Sequence, residues 1–243
     1  KFSILVPLYN TPEDFLKEMI ASVQAQTYSN WELCLADGSD DEHRQVGQIV
    51  AGFQQQDGRI QYRKLERNLG ISGNTNACIE MASGDYIALF DHDDLLHPSV
   101  LYENMKAICE QGADFIYTDE VIFERTTKNI TATHFKPDFA IDNLRANNYI
   151  CHFTVFQKPL LEKVGLFRSE CDGSQDFDMV LRLTEQAQKI VHIPKPLYFW
   201  RSHPLSVASS LLAKPYVFES AKRAVRDHLD RVGLEGEVLD SAA

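Results

Sequence analysis

The sequence predicts an α/β fold: a mainly parallel central sheet with helices on both faces, followed by a more irregular half. Two observations carry this. Over about residues 1–112, strand-length apolar runs alternate with segments of helical periodicity, the order that builds parallel sheets. Two acidic clusters, Asp37–Asp41 and Asp91–Asp94, each follow such a run directly. Open α/β sheets bind ligands beyond the carboxyl ends of their strands, so both clusters are expected to face one crevice.

In chain order, Phe2–Val6 is read as a buried strand. Thr11 then stands as a cap with Pro12 at the first helical position, and Phe15, Leu16, Met19, Ile20 and Val23 share one face of the helix that follows. Trp31–Ala36 is the next strand, turning through Asp37–Asp40; a third strand lies near Ile60–Leu65, a helix near Asn74–Met81 and a fourth strand at Tyr86–Phe90. The second half has a strand at Ala113–Tyr117 followed by Thr118–Asp119–Glu120, and a hairpin pairing Ile122–Glu124 with Thr131–Phe135. A further strand falls within Asn147–Gln157, a helix over Ser174–Glu185, a last strand at Leu197–Arg201 and a terminal helix at Tyr216–Val232. That terminal helix reads as a solvated face carrying Lys222, Arg223 and Arg226, packed through Ala221, Val225 and Leu229. The expected division is one domain over 1–243: a first half to 112, a second half over 113–210, and a helix and tail from 211.

Composition narrows the function. The 243 residues are 44% hydrophobic and 24% charged, enough for one large core. A formal net charge of −11 argues against nucleic acid, which calls for a basic footprint. An acidic protein still binds an anionic nucleotide where a metal cation supplies the local positive charge. Five cysteines without a C-x-x-C pair point to reduced core residues rather than a zinc site or disulfide framework. No stretch of eighteen apolar residues and no charged-then-apolar leader is found. The abrupt opening on a strand suggests a domain excised from a longer chain, with flanking domains or a membrane-associated partner. Its expected location is cytoplasmic, peripheral at the inner membrane through segments outside this sequence.

Asp91–His92–Asp93–Asp94 concentrates the chemistry. Three carboxylates within four residues repel one another unless a cation or proton lies between them. Hard oxygen ligands at a strand end suit Mg²⁺ or Mn²⁺ shared with a substrate diphosphate. The plainer alternative is a solvated acidic turn with Asp94 capping the next helix.

Six ordered segments carry a resemblance: Phe2–Asn10 (FSILVPLYN), Leu35–Asp41 (LADGSDD), Arg67–Asn76 (RNLGISGNTN), Phe90–Pro98 (FDHDDLLHP), Gly173–Met179 (GSQDFDM) and Tyr198–His203 (YFWRSH). In order and spacing, over about residues 2–207, they resemble the inverting family 2 glycosyltransferases of GT-A fold, in particular the polysaccharide-building subgroup. The resemblance implies transfer of a sugar from a nucleoside diphosphate donor (a UDP, dTDP or GDP form) to a hydroxyl of a glycan, with bacterial surface polysaccharide as the setting and a lipid-linked acceptor. It implies that Pro7, Tyr9, Asp37, Asn68, Gly70 and Asp91 border the nucleotide, and that Asp93 holds a divalent metal, Mn²⁺ or Mg²⁺, with His203 as a further metal or diphosphate contact. Relatives often carry two acidic residues where this chain has Ala36–Asp37, and Glu where it has Gln175. Asp176 is implied as the general base, which an inverting transfer needs opposite the leaving group. Asp178, two residues on, faces away on a helix and reads as structural. Asp119 is placed near the donor sugar, Trp200 as a wall for the acceptor or simply a core residue, and Arg201 against a phosphate or the Asp176 loop.

Rival readings fare worse. A sugar-nucleotide nucleotidyltransferase needs a Gly-rich loop ending in a basic residue after the first strand, and Pro7–Pro12 has neither glycine nor lysine. A dehydrogenase lacks its G-x-G-x-x-G and a P-loop enzyme its G-K-[ST]. A degenerate, non-catalytic glycan-binding module has no need of both Asp93 and Asp176.

Overall fold

The computed structural model describes residues 1–203 and 215–239, so the ends of the expected second half and tail lie outside the described residues. The chain runs β1 (Phe2–Leu8), α1 (Glu13–Gln24), β2 (Trp31–Asp37), α2 (Gln45–Gln54), β3 (Ile60–Lys64), α3 (Gly70–Met81) and β4 (Tyr86–Leu89). It continues through β5 (Leu95–Leu96), α4 (Val100–Gln111), β6 (Phe115–Phe123), β7 (Ile130–His134), α5 (Ile141–Ala146), β8 (Thr154–Gln157), α6 (Pro159–Val164), α7 (Gln175–Gln186), β9 (Ile190–Arg201) and α8 (Pro215–Val232).

Among the described residues nine strands form one sheet in the order β3-β2-β1-β4-β8-β6-β9-β5, with β7 paired to the far end of β6. The first four are parallel. β8 runs antiparallel between β4 and β6, so β6 and its parallel neighbour β9 point the same way as the first four. The mostly parallel sheet therefore continues through both halves.

Strand alternation sorts the core. Ile4, Val6, Leu33 and Leu35 face α1, α2 and α4, whereas Leu5, Cys34 and Ala36 face α3, α6, α7 and α8. Burial on both faces is what keeps β1 and β2 almost wholly apolar. The cysteines are free, and burial pushes the Cys34 and Cys78 thiols up to about 12. No described helix is long and apolar enough to cross a membrane.

Several element boundaries differ from the sequence reading for physical reasons. Thr11 is not the cap of α1: Pro12 occupies that position, and the buried Thr11 hydroxyl lies 2.6 Å from His92 Nδ1. Helix α3 starts at Gly70, ahead of the expected start near Asn74. Its first N–H groups find acceptors on Asn68 (to Gly70, 3.0 Å) and on the distant Asp172 (to Ser72, 3.3 Å). Thr118–Asp119–Glu120 lies within β6 rather than beyond it, and β9 begins at Ile190, with bulges against β6 at Asp119 and Glu120. Asp178 is structural as expected: fully buried, it pairs with Arg168 (2.5 Å) and Arg182 (2.7 Å).

One polar knot ties the opposite end of the sheet. Buried Glu32 accepts bonds from Lys1 Nζ, Ser3 Oγ and the Ser83 N–H and hydroxyl. Burial alone would raise this carboxyl; the four bonds outweigh it and hold it at about 2, against an ordinary 4.5. A carboxyl depressed by folding stabilises the fold above its unfolded pKa, and that contribution is lost as pH falls toward the folded value. Denaturant titrations between pH 5 and pH 2.5 are expected to show stability falling with acid, and Glu32→Gln is expected to flatten that slope relative to wild type.

Candidate active site

The acidic turn is held from behind by the last strand. Beyond β4, Asp94 is fully buried; one oxygen accepts from the Tyr198 hydroxyl at 2.6 Å and the other from the Arg201 N–H at 2.7 Å. The Arg201 guanidinium donates to the Asp93 carbonyl and to Glu18, both at 2.6 Å, and lies over the rings of Phe15 and Phe123. Asp94 and Arg201 thus anchor the turn, while the Asp91 and Asp93 side chains stay 46% and 21% exposed on its open side. Asp93 Oδ2 lies 2.8 Å from His203 Nε2, and the His203 ring packs against the edge of Phe15.

The third member of the turn's surroundings comes from elsewhere in the chain. His152 stacks on Tyr198 at 4.7 Å, meets Trp200 edge-on at 5.4 Å and places Nε2 3.7 Å from Asp91. Asp91, Asp94 and His152 lie close enough together to hold a metal ion. Burial, then the Asp93 and Asp91 charges, push the Asp94 carboxyl well above the usual range. Carboxyl groups driven up by mutual repulsion gain from a cation between them. Two donors at adjacent corners of an octahedron with bonds of about 2.1 Å lie about 3 Å apart. The Asp93–His203 spacing fits that requirement, whereas the Asp94 oxygens are already engaged.

Asp176 sits in the first turn of α7, where the helix dipole favours a carboxylate. Ser174 occupies the cap position, and Asp176 reaches to the loop before β8. Its Oδ2 accepts from Asn148 Nδ2 at 2.9 Å and lies 3.8 Å from Cys151 Sγ. Buried Lys136 fixes this loop by donating to the carbonyls of Ile150 and His152 and to Glu120. Glu120 also lies 2.9 Å from His134.

On the first half's strand ends, Pro7 is buried in β1 and Tyr9, just beyond it, is 46% exposed. Asn10 pairs with Asp40 through both ends of its amide, joining the loops after β1 and β2. Asp37 closes β2, accepting from the Ser39 N–H (2.8 Å) and the Tyr62 hydroxyl (2.7 Å), with Lys64 Nζ at 3.7 Å. Asn68 accepts from Gly70 N–H and from Asn74 Nδ2, each at 3.0 Å. Gly70 has φ +77, and a Cβ there would meet Asp172 at 2.8 Å, so the position calls for glycine.

Asp91, Asp93, His203, Trp200 and Arg201 are brought together, and Asp176 joins them through the loop carrying His152. Asp119 is buried in β6, its Oδ1 engaged by His192 (2.8 Å) and the Lys136 N–H (2.9 Å). His152, Asn148 and Lys136 are the members sequence reasoning missed, and at Thr118–Glu120 it chose Asp119 where Glu120 is the residue tied to Lys136. The local signal for His152 and Asn148 was a cluster of polar residues beside the apolar run of β8.

Residues 3–165 match the family model "Glycosyl transferase family 2". The chain is 46% identical over 233 residues to the uncharacterized protein y4gI of Sinorhizobium fredii, covering 94% of this chain and 25% of that one. It is 31% identical over 241 residues to the O-antigen biosynthesis protein RfbC of Myxococcus xanthus, covering 99% and 19% respectively. The chain thus spans about a quarter or less of these two relatives' lengths. The structure of S. aureus TarS 1-349 in complex with UDP-GlcNAc shares the fold, with a TM-score of 0.79 at 21% identity, over 97% of this chain and 68% of that one.

Proposed function

The chain belongs to glycosyl transferase family 2, and on that premise we propose that its acidic crevice transfers a sugar from a nucleoside diphosphate donor to a glycan hydroxyl, inverting the anomeric carbon. The observation that carries this reading is that Asp176, remote in sequence from the Asp91–Asp94 turn, is held by Asn148 and Cys151 on the same loop whose His152 faces Asp91 at 3.7 Å.

Asp93 and His203 would hold a divalent cation, Mn²⁺ or Mg²⁺, beside Asp91. When bound, such an ion neutralises charge on the departing diphosphate. Tyr9, Asp37, Asn68 and Gly70 border the nucleotide on the loops after β1, β2 and β3, with Pro7 behind them. Asp176 takes the proton of the attacking hydroxyl as the new glycosidic bond forms and the bond to the diphosphate breaks on the opposite face. Trp200 offers a ring face to the acceptor, Asp119 lies on the donor-sugar side, and Arg201 secures the turn. The likeness to RfbC, an O-antigen biosynthesis protein, supports a bacterial surface polysaccharide as the product, and the acceptor proposed for it is lipid-linked. The UDP-GlcNAc bound in TarS makes a uridine donor the first to test.

A thermal-shift screen of UDP, dTDP and GDP, each with and without Mn²⁺ or Mg²⁺, tests the reading. Binding to the native state at 100-fold the dissociation constant adds about 2.7 kcal/mol. One nucleotide is expected to raise the melting temperature, and only with metal; no response to any of the three overturns the proposal. NMR of the product is expected to show inverted anomeric configuration.

A further inference from the structure

The loop over Asn148–His152 contains an unexplained polar atom. Asn148 Nδ2 donates to Asp176 Oδ2, but Asn148 Oδ1 is shielded from solvent and has no hydrogen-bond partner among the described residues. A buried acceptor left unpaired is a standing cost to stability, so each one in a native fold calls for a reason. An apolar side chain at 148 would avoid that cost and forfeit only the bond to Asp176. Cys151 presents its thiol to the same carboxylate oxygen, and burial, then the Asp176 charge, push that thiol well up, keeping it a neutral donor. Both groups stand on a loop whose carbonyls at Ile150 and His152 are pinned by buried Lys136, itself paired with Glu120.

We propose that Asn148 is a positioning residue for Asp176: it engages Oδ2, aided by Cys151 on the pinned loop, and so leaves Oδ1 of Asp176 aimed at the acceptor hydroxyl. This rests on Asp176 being the base. The unpaired Asn148 oxygen is the stability cost of presenting the amide N–H at that point.

The test uses the nucleotide sugar selected by the thermal screen and follows nucleoside diphosphate release with water as acceptor. Asn148→Ala is expected to lower turnover about 10- to 100-fold, the size of one charge-assisted hydrogen bond. Donor affinity is expected to stay unchanged, and the melting temperature to stay unchanged or rise. Asn148→Asp keeps the shape but sets a second carboxylate against Asp176. It is expected to move the acid limb of the pH–rate profile up by about one pH unit or more. Wild-type turnover in Asn148→Ala overturns the proposal. So does a fall in its melting temperature combined with an unmoved acid limb in Asn148→Asp, since that is the signature of a purely structural residue. Asp176→Asn separates the two ideas: if it turns over donor normally the base assignment fails, and if it is inactive while both Asn148 variants behave as wild type only the positioning role fails.

Discussion

Asp176→Asn is expected to lower sugar transfer about a thousandfold while leaving nucleotide affinity within a factor of two. General-base catalysis contributes about 10²- to 10⁴-fold, and an amide cannot take up the acceptor's proton. The substitution is nearly isosteric, and Asp176 is only half-buried in the first turn of α7, so the helix is expected to stay intact. An amide oxygen in place of Oδ2 can still accept from Asn148, which spares the loop. Calorimetry of nucleotide binding beside a turnover assay decides it. Turnover near wild type removes Asp176 as base, whereas a parallel loss of affinity points to a collapsed site instead.

Asp93→Ala is expected to abolish the metal dependence of nucleotide binding, weakening affinity in Mn²⁺ about a hundredfold or more. The carboxylate is the charged half of the Asp93–His203 pair, and imidazole alone is a poor partner for a hard cation. The turn itself should survive, because Arg201 bonds the Asp93 carbonyl and Asp94 anchors the other side. Titrating nucleotide with and without Mn²⁺ reads the effect. Metal dependence preserved in the variant would move the ion to Asp91, Asp94 and His152, the neighbouring group spaced to hold one.

What the sequence revealed divides along a physical line. β1, β2 and β4 were legible because burial on both faces makes each a continuous apolar run, and the acidic turn was legible because its charges are contiguous. Helix α4 escaped notice because its buried side includes the polar Asn104 beside Val100, Leu101 and Ala107. Helix α2 was passed over although Val46, Ile49, Val50 and Phe53 stand at helical spacing on the face it packs against the core. At the site, Asp93 and Asp176 stood out through motifs, but Asp94 looked like a helix cap. Its partners, Tyr198 and Arg201, lie more than a hundred residues away, and no local pattern records them. His152 and Asn148 acquire meaning only when β8 pairs with β4 and β6 and brings their loop to the turn.

The anchoring of Asp94 by β9 also bears on where this protein can be cut. The family match stops at residue 165, yet the donors to that carboxylate, and the parallel neighbour of β6, arrive only with residues 190–201. A fragment ending at the match boundary would keep the first four motifs but lose Asp176, strip the Asp94 carboxylate of its two donors and leave β6 bare along one side. The smallest piece able to fold is therefore longer than the piece by which its kinship is detected, and truncation for crystallography or fusion should keep β9 whole.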